Sequence, residues 1–389
     1  MKLTARTSRV LRSRKSGRFG AWPIYRRSPF IVSYWLGKHL VFENFASRER
    51  ITADPITCAV LDFFQDGRTL REFFACFKHY DPASLRRSVD LLTRHSFLEP
   101  CGKKQGLARE AHEAWNRWNP AAGFFHFSTK DADYEVGSEE GYTVLQRLAR
   151  SHPKPSPVKR YPRAKKIQLD WPRPDSEFPR VLLSRRTWRK FSNQPVDLPT
   201  LGALLGLTWG VQGWVRVPRV GSLAIRTSPS GGSLHPIEAY LLVRNVGGLR
   251  PGLYHYDGGA HRLALLRRGA NSRQIARCLE GQWWFGGASF VVFMTAVFAR
   301  TQWKYDYPRA YRAVLLEAGH LCQTFCLAAT WLGLGPFCTI AFKDSLIERM
   351  LGVDGISESV LYAAGAGTRP PDETQAHLGT MGARVRWRR

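Results

Sequence analysis

The chain has 389 residues, 44% hydrophobic and 23% charged, which is enough for two separate cores and excludes a low-complexity chain. A formal net charge of +27 favours anionic partners (a phosphorylated cofactor, an acidic peptide, nucleic acid or an anionic membrane surface) and says nothing about fold. Seven scattered cysteines, an odd number, exclude a paired disulfide framework and fit a reducing cytoplasm.

Met1 to Gly20 is rich in Arg and Ser and has no acidic residue. No apolar h-region follows, so residues 1–25 are expected to be a flexible basic arm rather than a secretory signal. Residues 26–120 read as a small domain. Phe30-Ile31-Val32 and His39-Leu40-Val41-Phe42 flank Gly37-Lys38 as a hairpin. Asp54-Pro55 opens a helix with Cys58, Val60, Leu61 and Phe64 on its apolar face. Thr69 with Glu72 three residues later is a capping box for a second helix. A third starts with Ser84 as its cap and points Leu85, Val89 and Leu92 inward. A hairpin followed by three short helices predicts a winged-helix-like domain, which could bind a peptide, bind DNA, or only cap the rest of the protein.

Residues 121–178 are expected to connect the two halves, and 151–160, rich in Pro and basic residues, reads as a semi-extended linker. Residues 179–389 mix helices and strands without βαβ regularity or a dinucleotide glycine fingerprint, so the fold class is α+β. Leu201, Leu204, Leu205 and Leu207 mark an amphipathic helix. Gly252–Asp257 and Arg262–Leu266 read as a strand pair, Phe290–Phe298 as an apolar strand and Ser359–Tyr362 as the last strand. Ala313 to Leu334 is the longest apolar stretch. It carries Glu317, His320 and Gln323, which makes it a buried or interface helix rather than a membrane span. Cys322 and Cys326 lie one helical turn apart without a partner pair at zinc-site spacing, so a core role and no metal are expected.

Three segments of this half carry candidate chemistry. Arg185, Arg186, Thr187 and Arg189 put three guanidiniums and a hydroxyl within five residues, which is either a phosphate clamp or a solvated basic face. Ser230-Gly231-Gly232-Ser233 lies in a Ser/Gly/Pro turn just before the strand-like run 237–243. Its backbone can approach a flat or anionic ligand, although many such turns are plain loops. His235 reads as a turn or core histidine. Lys304-Tyr305, close to Arg309 and Arg312, offers an amine and a phenol, either of which nearby cations would help to act as a base.

In their order and spacing these segments resemble the flavin-dependent nitroreductase superfamily, and within it the SagB-type azoline dehydrogenases of ribosomal peptide maturation. The block 26–120 resembles a PqqD-like leader-recognition element in its hairpin, its 66–70 turn and its Leu91-Leu92…Phe97-Leu98 ending. The resemblance implies a nitroreductase-like mixed sheet flanked by helices, and a homodimer formed through the long helix with FMN at the interface. It implies that Arg185, Thr187 and Arg189, helped by Arg186 and Arg369, hold the FMN phosphate and ribityl chain. Ser230, Gly231, Gly232 and Ser233 would meet the ring, and the backbone of Thr339, Ile340 and Ala341 would lie near its reactive nitrogen. Ile340-Ala341 stands where many nitroreductases have Glu-Gly. Lys304 and Tyr305 match the catalytic pair of the azoline dehydrogenases. The implied reaction is oxidation of peptide azolines to azoles, with dioxygen reoxidising the flavin. A separate cyclodehydratase would supply the rings, and a precursor peptide would dock its leader on the N-terminal domain. An NAD(P)H-dependent reductase of dehydroamino acids or small electrophiles is the nearest alternative. A winged-helix nucleic-acid-binding regulator ranks below it, because the basic residues are spread over both halves.

Overall fold

The computed structural model of the protein describes residues 22–101, 107–134, 138–152, 155–171 and 173–371. Nearly all of the expected basic arm lies outside them. The chain divides into two compact units, Met1–Ala108 and Arg109–Arg389.

In the first unit, β1 (Ile24–Arg27) is followed by β2 (Ile31–Leu36), β3 (His39–Asn44) and β4 (Glu49–Thr52). The last three form an antiparallel meander. Gly37 makes the β2–β3 turn with φ +61°, a conformation a residue without Cβ adopts freely. The helix α1 (Pro55–Phe63) is capped by Asp54, whose carboxylate accepts the Thr57 N–H. After β5 (Arg68–Thr69), the predicted Thr69/Glu72 capping box starts α2 (Leu70–Cys76). The helix α3 (Pro82–Arg94) begins earlier than expected. Asp81 caps it by accepting from the Ala83 and Ser84 amides, and Pro82 fits the first helical position. β6 (Leu98–Pro100) then pairs with β1, which also pairs with β5. Val60, Phe64, Phe73, Val89 and Phe97 lie at the centre of this unit's core.

The winged-helix expectation needs correction here. The hairpin continues into β4 to make a sheet of its own, and the single short strand after α3 joins a second three-stranded sheet, β5-β1-β6. The described residues therefore form no distinct winged-helix domain.

The helix α4 (Leu107–Trp115) crosses into the second unit, and α5 (Ala121–Ser128), α6 (Ser138–Ser151) and α7 (Glu177–Ser184) follow. Next come α8 (Leu198–Trp209) and the hairpin of β7 (Gly213–Val217) and β8 (Gly221–Ile225). After the glycine turn lie β9 (Ile237–Val243), β10 (Gly252–Asp257), β11 (Arg262–Arg268) and α9 (Ser272–Cys278). The chain continues through β12 (Phe290–Val297), α10 (Phe298–Gln302) and α11 (Tyr311–Trp331). It then forms β13 (Leu334–Thr339), α12 (Asp344–Leu351) and β14 (Glu358–Thr368).

Six of these strands make one sheet in the order β11-β10-β9-β12-β14-β13. A mixed sheet was the expectation; each pairing in it is antiparallel. The central strand β12 is buried on both faces, and its alternation divides the core. Val291 and Phe293 point into the cluster that includes Ile275 of α9 and Ile347 of α12. Phe290 on the opposite face meets Phe325 of α11, with ring centroids 6.4 Å apart, and Phe325 in turn meets Trp209 of α8 at 5.9 Å.

Residues 335–339 and 365–368 are paired strand residues of β13 and β14, with Gly335, Gly365 and Gly367 among them. The glycines make room for rings. A Cβ on Gly365 would lie 2.5 Å from the Phe337 ring, and one on Gly335 would lie 2.7 Å from the Trp188 ring. Pro308–Trp331 is long and apolar enough to cross a membrane, but it lies along the sheet and buries Glu317 within the unit, as a core helix does.

Candidate functional site

The glycine turn is strained and pinned in place. Gly232, Ser233 and His235 have φ of +70°, +55° and +44°, a region that residues with a Cβ seldom occupy. Hydrogen bonds to α11 and α8 hold this shape. The Ser230 hydroxyl donates to Glu317 Oε2 at 2.6 Å and accepts the His235 N–H at 2.9 Å. The Ser228 and Thr324 hydroxyls are 2.7 Å apart, and Thr227 donates to the Leu207 carbonyl at 2.6 Å.

Glu317 is 4% exposed, and its Oε1 has no hydrogen-bond partner among the described residues. Burial pushes its carboxyl up to about 6, against the opposing pull of the Ser230 hydrogen bond and Arg226. His235 is buried, its Nε2 lies 2.9 Å from the Ala224 carbonyl, and burial lowers its pKa. That is the environment of a turn histidine. Ser233 and His235 also line a cavity of about 550 Å3 together with Arg226, Glu238 and Arg300.

Lys304 and Tyr305, more than seventy residues downstream, come to this turn. A Cβ on Gly232 would lie 2.9 Å from Lys304 Nζ and 3.1 Å from the Tyr305 hydroxyl. Gly231 has the Tyr305 ring and Ala313 at van der Waals distance from the same construction. The pair is fixed through its backbone. Trp118 Nε1 donates to the Tyr305 carbonyl at 2.9 Å, and Arg117 donates to the Gln302 carbonyl at 3.1 Å. Trp115 and Trp118 are themselves fully buried against Phe298 and Tyr311. An amine and a phenol are thereby set against a bare backbone turn, where they can hold or move a proton or bind an anion.

The arginine segment follows α7 and runs beside the start of β13. The Trp188 N–H donates to the Pro336 carbonyl at 2.9 Å, and Trp188 is buried on Gly335. Arg185, Arg186, Thr187 and Arg189 are partly exposed around it. Burial depresses Arg189, and it also depresses Arg186 together with the charge of Arg185. The Arg369 guanidinium lies 5.0 Å over the Trp188 ring and donates to the carbonyls of Leu334 and Thr330. Its Nε and one terminal nitrogen therefore hold this wall together.

Of Thr339, Ile340 and Ala341, Thr339 ends β13, and its hydroxyl accepts the Ala341 N–H at 3.0 Å and meets the Gln282 side chain at 3.2 Å. Ile340 is exposed, with its carbonyl accepting from the Tyr134 hydroxyl. The structure thus joins the turn to Lys304-Tyr305, and joins the arginine segment to Arg369 and the start of the strand that ends at Thr339.

Sequence reasoning gave no role to Glu317, Trp118, Trp188 or Gln282. Glu317 alone carried a signal, a carboxylate in an otherwise apolar helix.

Residues 182–368 match the family described as "Nitroreductase family". The chain is 31% identical over 173 residues to "Putative nitroreductase MJ1384" of Methanocaldococcus jannaschii, covering 83% of that protein and 44% of this one. It is 23% identical over 336 residues to the trifolitoxin-processing protein TfxB of Rhizobium leguminosarum bv. trifolii, covering 87% of that protein and 80% of this one. Among solved structures, the E. coli microcin synthetase McbBCD complex with truncated pro-MccB17 bound matches with a TM-score of 0.48 and 22% identity, over 69% of this chain and all of that one. Identity of 31% across more than four-fifths of a nitroreductase, together with the match over 182–368, places this chain in the nitroreductase family.

Proposed function

We propose that the chain is an FMN-dependent oxidoreductase that converts azoline rings of a peptide to azoles. The observation that carries the reading is the placement of Lys304 and Tyr305 against Gly232. The residues present suit FMN. A cluster of arginines offers forked donors for a phosphate, and the turn presents bare backbone that a side chain would block. Arg185, Thr187 and Arg189, with Arg186, would hold the phosphate, and Arg369 would brace that wall through Trp188. Ser230, Gly231, Gly232 and Ser233 would meet the polar edge of the ring, and the Thr339–Ala341 backbone would approach it from a second side. FMN, when bound, supplies a two-electron acceptor. Aromatisation also releases a proton from ring carbon, and Lys304 Nζ or the Tyr305 oxygen would accept it.

Similarity to a trifolitoxin-processing protein over most of the chain supports a peptide as substrate. A precursor peptide would dock on the first unit by adding a strand to an edge of its meander. β2 is one such edge, with Trp35 and Leu36 exposed on it. A separate cyclodehydratase would form the rings. The exposed Leu315 and Leu316 of α11 would give a homodimer part of its contact surface.

The test is mass spectrometry of an azoline-bearing peptide with purified protein. The protein should be yellow, and each ring should lose two hydrogens. Lys304→Ala and Tyr305→Phe should keep the flavin and slow that loss by about a hundredfold or more. Colourless protein after reconstitution with FMN would end the reading. Rapid bleaching of the flavin by NADPH with no peptide present would favour a reductase instead.

A further inference from the structure

The fold gathers three thiols, of which only Cys322 and Cys326 are close in sequence. Cys322 and Cys326 are one turn apart on α11, and Cys338 lies on β13, the edge strand packed against that helix. All three sulfurs lie within 4.8 Å of one another, and none is in a disulfide. We propose that Cys322, Cys326 and Cys338 form a binding site for one soft, thiophilic d10 metal ion, Cu+ or Zn2+.

Thiolate sulfurs select such ions over hard cations. A metal–sulfur bond of about 2.3 Å sets the sulfurs of a three-thiolate site about 4 Å apart, so the cluster needs only small side-chain adjustments to close on an ion. Cys322 and Cys326 are 2% and 3% exposed, whereas Cys338 is half-buried and offers the way in. Each thiol would release its proton to solvent as the ion binds.

One neighbour suits the resulting negative charge: the Tyr362 hydroxyl donates to the Cys338 sulfur at 3.6 Å, an outer contact of the kind that orients metal ligands. Three sulfurs satisfy Cu+, whereas Zn2+ would take a water on the Cys338 side as its fourth ligand. The bound ion would tie α11 to the strand that ends at Thr339.

The experiment uses reduced full-length protein, loaded without air with Zn2+ or with Cu+ as its acetonitrile complex, then desalted and analysed for metal. The expected result is about one ion per chain and a thiolate-to-metal absorption band in the near ultraviolet. Retention of Cu+ alone would assign a three-coordinate site, and retention of Zn2+ would assign a four-coordinate one. Cys322→Ser and Cys338→Ser should each weaken binding by more than about tenfold. Cys76→Ser and Cys101→Ser, which change exposed cysteines, should leave it unchanged. Because a variant of a buried thiol can fail to fold, alkylation of Cys338 in the unchanged protein is followed by peptide mass mapping, and the ion should slow it. The proposal is overturned if neither ion is retained, if Cys338→Ser binds as well as the parent, or if the ion leaves Cys338 alkylation unaltered.

Discussion

The glycine turn and the arginine segment are both short irregular stretches beside α11 or β13, yet they are built in opposite ways. The turn holds three left-handed residues and is fastened from beneath by the buried Glu317, which accepts from Ser230, and by the buried Ser228, which meets Thr324. The arginine segment is fastened by its backbone and by Trp188, and its charged side chains remain partly exposed. Changes under the turn should therefore register in stability and pH response. Changes among the arginines should register in ligand affinity with little effect on folding.

The largest expected effect is Trp118→Ala. It removes a fully buried indole and the hydrogen bond to the Tyr305 carbonyl, and should destabilise the second unit by about 3–5 kcal/mol in denaturant unfolding. A loss below about 1 kcal/mol would show that the Lys304-Tyr305 backbone is held by something else.

Glu317→Gln sharpens the comparison through pH. The folded-state carboxyl is raised from 4.5 to about 6. The protonated form therefore supports folding fully below about pH 4.5, and that support is lost as pH rises through about 6. Glutamine keeps an acceptor for Ser230 and has no charge to bury. The variant should match the parent at low pH and exceed its stability by about 2 kcal/mol above pH 6, read from unfolding curves across that range. Parallel curves would break the argument.

Gly232→Ala combines a positive φ with a Cβ 2.9 Å from Lys304 Nζ. It should cost about 1 kcal/mol or more in thermal unfolding and displace the Lys304-Tyr305 pair, lowering turnover along with stability. The smallest effect on folding belongs to Arg185→Ala, about 0.5 kcal/mol or less, with FMN affinity falling clearly in a fluorescence titration. If Arg185→Ala unfolded the protein while binding flavin normally, the two walls would have to exchange roles.

Much of the local architecture was legible in the sequence because short-range chemistry decides it. The Thr69/Glu72 capping box, the Gly37 hairpin and the apolar run of β12 each announce themselves over a few residues. Residues that serve a distant partner were not legible: Gly335 and Gly365 admit the rings of Trp188 and Phe337 into a strand pair. Ser84 looked like a helix cap until Asp81, just before a proline, supplied a charged acceptor to two amides.

What the sequence by itself determined is which groups are available: a phosphate-sized set of guanidiniums, a turn bare of side chains, an adjacent amine and phenol, and helices with readable starts. Which of these meet was decided only by tertiary structure, because the contacts run between α11, the sheet edge and segments tens of residues apart. Glu317 beneath Ser230, Trp118 behind Tyr305 and Cys338 beside Cys322 and Cys326 have no signature in spacing. They follow from how α11 is laid along the sheet, a placement set by the fit of its whole apolar face rather than by any local motif.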